Sequence, residues 1–485
     1  MDKLLGFSPD MDPTTAGAIL ACTNLIPYET GMKGAPTGTT PSGTPVLAAA
    51  CIGAAIVTKM DATRRIFAGT LTAMYELVSG AWVDRTRTGA YTGGSETRWS
   101  FAQFGDATLI ANLADTMQRS TLGAFADIAT APKAKIIFSV GSFVMALNTS
   151  DPTYLVQPDR WWCSASYNDN LWTPSVTTLA TTGRLVSTPG PIVAGGKLGE
   201  YAIAYKERSI YIGQFVGSPN VWDWLQVPGG EAGCVGQDAW CDIGGAHFFV
   251  GQDNFWLFDG TRPVPLGNGQ VRQWWYANSA PSYRSKTQCV FDRQNNLVWI
   301  FYVGTLSASP DKALVYHVQT KQWGSVDVAV ESVLEYISAG LTIDSLPTVS
   351  ATIDGLSNYS FDSAYWLVGG RMLSVFNPSH QLQALAGNTV SSSMTCWDNG
   401  DDEQYSLLTK IRVRFAPGAK PTAATVQVFG KATEGDALIS GASGTLDDGK
   451  FDVLQTARFH SAAFTFTGPH KVLSYGATLT PQGTA

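Results

Sequence analysis

The chain's 485 residues exceed what one hydrophobic core usually serves, which calls for two or three domains or one large repetitive one. Apolar residues make up 45% and charged residues only 15%, against roughly 25% in ordinary soluble domains, so much of the surface is expected to be hidden against other chains. A net charge of −7 speaks against gripping nucleic acid or anionic membrane by general electrostatics.

The amino terminus, MDKLLGFSPDMDP, lacks the apolar core of a secretory signal. Residues 1–45 are rich in Pro, Gly and Thr, and prolines at 9, 13, 27, 36, 41 and 45 exclude a long helix. They read as an extended N-terminal arm whose short apolar stretch, Ala18 to Ile26, is suited to docking on a neighbour. No membrane insertion is expected: the longest apolar run, Val46 to Val57, stops at Lys59, whereas a spanning helix needs about 20 residues.

From about 46 to 330 short runs of β-branched and aromatic residues alternate with Gly, Asp and Asn turns, and 331–385 holds loops and a last pair of strands. The clearest unit is GGAHFFVGQDNFWLFDGTRPVPLG, residues 244 to 267. His247 to Val250 and Phe255 to Phe258 read as strands around a Gly251-Gln252-Asp253-Asn254 turn, and a third strand begins at Val264. Tryptophans recur at 82, 172, 224 and 323, separated by 90, 52 and 99 positions. A unit of roughly 45 to 50 residues fits all three gaps, the length of a four-stranded propeller blade. About six such units fit the segment. Leu109, Leu113 and Met117 have helical spacing, but the Gly105-Asp106 turn before them and their place in the period favour strands. The pair AYWLVGGRMLSVFN, around Gly369-Gly370, is placed to complete a blade from the far end of the segment.

Residues 386–485 alternate polar and apolar cleanly in KIRVRF, ATVQVFG and HSAAFTFTG, the pattern of a sheet with one solvated face. The expected fold is therefore all-β: a roughly six-bladed β-propeller (46–385), an extended N-terminal arm (1–45) and a C-terminal β-sandwich-like domain (386–485).

Chemistry is sparse, and no catalytic, cofactor-binding or metal-ligating residues are assigned. The five histidines, 247, 317, 380, 460 and 470, form no HExxH or i, i+4 pair, and no GxSxG, Walker A or GxGxxG pattern occurs. Asp398, Asp401, Asp402 and Glu403 lack the alternate spacing of a calcium loop and read as a solvated turn. Cysteines 22, 51, 163, 234, 241, 289 and 396 are scattered without a CxxC pair and read as free thiols of a protein folded in a reducing cytoplasm. Arg64-Arg65 and Arg85/Arg87 are the densest basic groups, read as solvated or paired with Asp61 and Asp84. SYNDNLW, residues 166 to 172, resembles the aspartate-box turn of sialidases, but Asn170 stands where that box has Gly and Leu171 where it has Thr.

The opening segment GFSPDMDPTTAGAILACTNLIPYETGMKGAPTG resembles the arm of tail nozzle proteins, also called packaged-DNA stabilisation proteins, of short-tailed bacteriophages. YKERSIYIGQFVGSPNVWDW, the 244–267 unit and NNLVWIFY with TKQWGSV match that family in kind. The resemblance implies a non-enzymatic virion tail protein without cofactors, assembled in the host cytoplasm. It further implies a homohexameric ring below the portal and adaptor, contacts with adaptor and with fibre or spike proteins, and genomic double-stranded DNA passing without sequence-specific binding. Such a ring would retain packaged DNA and take part in its ejection. The competing expectation is a carbohydrate-binding or glycosidase-type propeller.

Overall fold

The computed structural model describes residues 1–485 except 41–43, 230, 338–370, 434 and 485. Residues 244–267 fold as the meander expected from their turn chemistry, with strands His247–Val250, Phe255–Phe258 and Pro263–Pro265 in antiparallel register behind Trp240–Asp242. Asn254 organises the turn. Its Oδ1 accepts from the amides of Phe255 and Gly267, and its own carbonyl accepts from Gly251.

The same four-stranded meander recurs around a common axis. Blades 1 to 5 begin with strands Gly53–Thr58, Ser100–Phe104, Lys133–Val140, Ile192–Leu198 and Trp240–Asp242. A bridging unit of four strands begins at Gln288–Asp292, and a closing blade begins at Ser332–Ile337. The strand Ser332–Ile337 packs back onto Gly53–Thr58, so the ring is shut. The protein is a β-propeller with six self-standing sheets of four strands, and the bridging unit joins them in the ring while belonging to a ten-stranded sheet. A strand rather than a helix starts the Leu109–Met117 stretch: Ala107–Ala111 is a fully buried strand, and Leu113 turns the chain with φ 65°. Of the pair around Gly369-Gly370, Arg371–Phe376 is a strand of the closing blade and the first half lies outside the described residues.

The arm is extended, as its prolines require, but it is woven into the rest of the chain. Its strands are β1 (Asp2–Lys3), β2 (Gly6–Phe7), β3 (Ala18–Thr23), β4 (Leu25–Tyr28), β5 (Gly31–Gly34) and β6 (Thr37–Thr39). β6 is the outer strand of the closing blade, paired with Leu382–Gly387. β4 extends the bridging unit through Leu25 opposite Ser325. β1, β2, β3 and β5 enter the two sheets of the C-terminal sandwich. The apolar stretch Ala18 to Ile26 therefore docks on its own chain rather than on a neighbour: Ala18, Ile19, Leu25 and Ile26 are all buried. The reason is that β3 and β4 are almost wholly apolar and complete faces of the sandwich and the bridging unit.

The sandwich strands show the alternation that marks a half-solvated sheet. In Phe459–Thr467, Phe464 and Phe466 point inward and Thr465 and Thr467 outward. Its core joins Phe451, Phe464, Phe466 and Tyr475 to Leu4, Ile19 and Met32 of the arm.

Candidate functional site

The tryptophans that suggested the repeat are placed by the blades. Trp82, Trp224 and Trp323 lie in outer strands Ala81–Asp84, Trp222–Gln226 and Trp323–Asp327. Trp323 is 1% exposed, packs on Tyr316 and Phe255, and donates through Nε1 to Gln270 Oε1. Trp172 is different: it lies in the excursion between the last two strands of blade 3. It is fully buried there, and its Nε1 donates to the Asp169 carbonyl.

That excursion contains SYNDNLW, and its polar groups clamp blade 3 to blade 2. Asp169 pairs with Arg119, while Thr130 donates to the Asn170 carbonyl and accepts from the Trp172 amide. The stretch is an inter-blade latch.

Of the arginines near the first blade, Arg64 is exposed, while Arg65, Arg85 and Arg87 are paired, though not with Asp61 or Asp84. Arg65 is 6% exposed and grips Glu76 with two bonds of 2.6 and 3.0 Å, and Arg85 adds a third of 2.7 Å. Arg87 bridges Asp115 and Asp127. Asp61 and Asp84 instead close local turns, accepting from the Thr63 and Thr86 amides. The correction follows from strand spacing. Arg65 sits opposite Val57 in an antiparallel pair, and its side chain reaches the next strand, where Glu76 lies, rather than the hairpin tip.

The acidic run is split as well. Asp398 is buried and paired at 2.6 Å with Lys431, also buried. Asp401, Asp402 and Glu403 stay exposed. Among the described residues no three His, Cys, Asp or Glu side chains are grouped to hold a metal ion. The five histidines are dispersed. His247 donates from Nε2 to the Lys197 carbonyl and accepts at Nδ1 from the Tyr205 hydroxyl, which ties blade 5 to blade 4. His380 meets Glu331 at 2.7 Å, and Glu331 also accepts from the Cys51 amide, which fastens the closing blade to the start of blade 1. All seven cysteines are free, and burial pushes thiols such as Cys51 and Cys234 up to about 12.

The one arrangement the sequence did not signal lies on the propeller axis. Inner strands of blades 1 to 5 line a channel of about 530 Å³, walled by Ala54, Gln103, Ser139, Gly196, Gln237 and Trp240 among others. A side chain on Gly196 would collide with the Trp240 ring, so the glycine is what lets the indole lie against that wall. Arg98, just ahead of the first strand of blade 2, donates from Nε to Asp238 Oδ2 at 2.8 Å. Asp238 stands just ahead of the first strand of blade 5, across the ring, so the ion pair spans the axis at one mouth. Lys135 of blade 3 approaches the same group; burial lowers its pKa, while Asp238 and Glu96 act in the opposite sense. A pairing between residues 140 positions apart in sequence leaves no local pattern to read.

Fold and site thus define a β-propeller protein with an integral sandwich domain and a bridged axial channel. No known family model and no curated protein matches the chain. Among solved structures it is similar to YCF48 bound to D1 peptide, at 12% identity and a TM-score of 0.37, over 61% of this chain and 89% of that one. It is also similar to PorZ, a surface component of the type-IX secretion system of Porphyromonas gingivalis, at 11% and 0.37, over 85% of this chain and 52% of that one. The SapL1 lectin in complex with alpha methyl fucoside is similar at 14% and 0.34, over 60% and 99%. Likenesses at this level carry nothing about function.

Proposed function

We propose that the chain is a non-catalytic subunit of a short-tailed bacteriophage tail. In this reading copies of it form a nozzle ring, hexameric as in the family its arm resembles, that continues the DNA channel, retains packaged DNA and takes part in ejection. The observation that carries the reading is the arm. The segment bearing the resemblance supplies strands to the closing blade, to the bridging sheet and to both sandwich sheets. It makes two domains into one stiff body, as a part under internal DNA pressure needs. The DNA path then runs between copies, because the axial channel of each propeller is bridged by Arg98 and Asp238 and is far too small for a duplex. Adaptor proteins on one side and fibre or spike proteins on the other are the implied partners.

The test is an antibody against the chain, imaged on purified virions by electron microscopy. Label at the tail is expected. Virions without label, or labelled only on the capsid, overturn the proposal.

A second reading, a saccharide-binding propeller, is favoured by the charged side chains gathered at one mouth: Arg98, Asp238 and Lys135. These already neutralise one another, which ranks it second. Saturable binding on a glycan array, lost in Asp238→Asn, would reverse the order.

A further inference from the structure

The propeller and the sandwich leave a cleft of about 530 Å³ between them. That volume lies within the roughly 300–1,000 Å³ of small-molecule sites. Lys33 of β5 and Lys471 of the sandwich strand Lys471–Thr484 both line it, and they stand directly opposite each other in the antiparallel pair. Like charges facing across strands destabilise a sheet. Arg371 enters the same cleft from the closing blade.

The two lysines have no ion-pair partner among the described residues, whereas Arg371 has one. The lysines that form ion pairs among the described residues are Lys59, Lys312, Lys431 and Lys450. Lys33 and Lys471 are not among them. The carboxylate lining the cleft, Asp292, is taken up by its own turn: it accepts from the amides of Gln294 and Asn295 and from Asn295 Nδ2. Lys33 donates to Asn295 Oδ1 at 3.2 Å, and Lys471 Nζ lies 5.9 Å from the Tyr28 ring centre. Arg371 meets Glu335 through Nη1. Burial lowers the Lys33 pKa, Asp292 acts against that, and Lys471 adds to it.

We propose that this cleft binds a phosphate group on a small molecule, either inorganic phosphate or the terminal phosphate of a mononucleotide, held by Lys33, Lys471 and Arg371. A dianion with three outward oxygens suits a cleft lined by two lysines without ion-pair partners and by Arg371, whose guanidinium can turn from Glu335 to an added anion. The cleft is too small for a duplex. The inference stands independently of the role in a tail.

The experiment is calorimetric titration of the full chain with inorganic phosphate, with adenosine monophosphate and with a short DNA duplex. One saturable site for phosphate or the nucleotide is expected, weakened about tenfold or more in Lys33→Gln/Lys471→Gln and largely kept in Lys471→Arg. Tighter nucleotide than phosphate binding assigns the site to nucleotides; equal binding assigns it to free phosphate. Without ligand at low salt, Lys33→Gln should melt no lower than the wild type, since it removes a repulsion. Arg371→Gln, at the exposed rim, gives the same binding readout should the double variant fail to fold. No saturable binding, binding unchanged in the variants, or binding of the duplex alone overturns the proposal.

Discussion

His247 shows how a single buried ring links stability to pH. It is fully buried, and burial lowers its pKa below the ordinary 6.5; His317, His460 and His470 are lowered for the same reason. Between that value and the folded ones, the unfolded chain binds more protons than the folded chain. Stability is therefore complete above about 6.5 and falls as the pH drops through the window, by at most about 1.4 kcal/mol per pH unit for each histidine. The buried carboxylates Glu76 and Asp115 are lowered from 4.5 and 3.8, so their losses come at more acid pH. Melting temperatures at pH 7.5, 6.5 and 5.5 should fall in order, and a flat profile would show these rings to be hydrated. Trp323 makes a separate expectation. It closes the bridging unit against Tyr316 and Phe255, so Trp323→Ala should cost about 3 to 5 kcal/mol, as large-to-small core changes do. A melt indistinguishable from the wild type would count against that packing.

Elements were legible where local pattern and tertiary placement agree. Successive inner strands begin at residues 53, 100, 133, 192, 240, 288 and 332, giving steps of 47, 33, 59, 48, 48 and 44. Four of the six steps lie close to the 45–50 period. The short step reflects the abbreviated outer strands Gln118–Ser120 and Ala126–Asp127 of blade 2, and the long one the Trp172 excursion of blade 3. Near residue 385 the chain passes from the strand Leu382–Gly387 of the closing blade to Ser391–Cys396, which pairs in a sandwich sheet. The arm was read correctly as extended, but its destination was not, since β6 finds its partner about 345 residues downstream and no local spacing encodes that. The weaving has a measurable consequence. Deleting residues 1–36 strips Leu4, Ile19, Leu25 and Met32, each fully buried, from the core they share with the sandwich. The truncated chain should be insoluble or melt far below the parent. A truncated chain with the parent's melting temperature would show the arm to be a dispensable appendage.

At the scale of the whole molecule, charge placement argues against a DNA-gripping surface, even under the proposal that the chain helps build a DNA channel. Acidic residues outnumber basic ones 39 to 32. The arginines most able to clamp phosphates are already committed: Arg65 and Arg85 to Glu76, Arg87 to Asp115 and Asp127, Arg98 to Asp238, Arg119 to Asp169 and Arg184 to Asp159. A clamp on DNA formed by any of these arginines would first have to break its pair, and a channel that must release its genome quickly gains nothing from counterion-releasing contacts. One phosphate-sized cleft per chain does not alter this, because duplex affinity grows with a row of cations rather than a single group. The purified chain should therefore bind duplex DNA weakly and without sequence preference. The measurement is a binding titration at two salt concentrations, with the slope reporting how many phosphates are neutralised. Submicromolar affinity at physiological salt with a steep slope would mean that the chain does present a phosphate-gripping surface, and the inference from charge placement would fail.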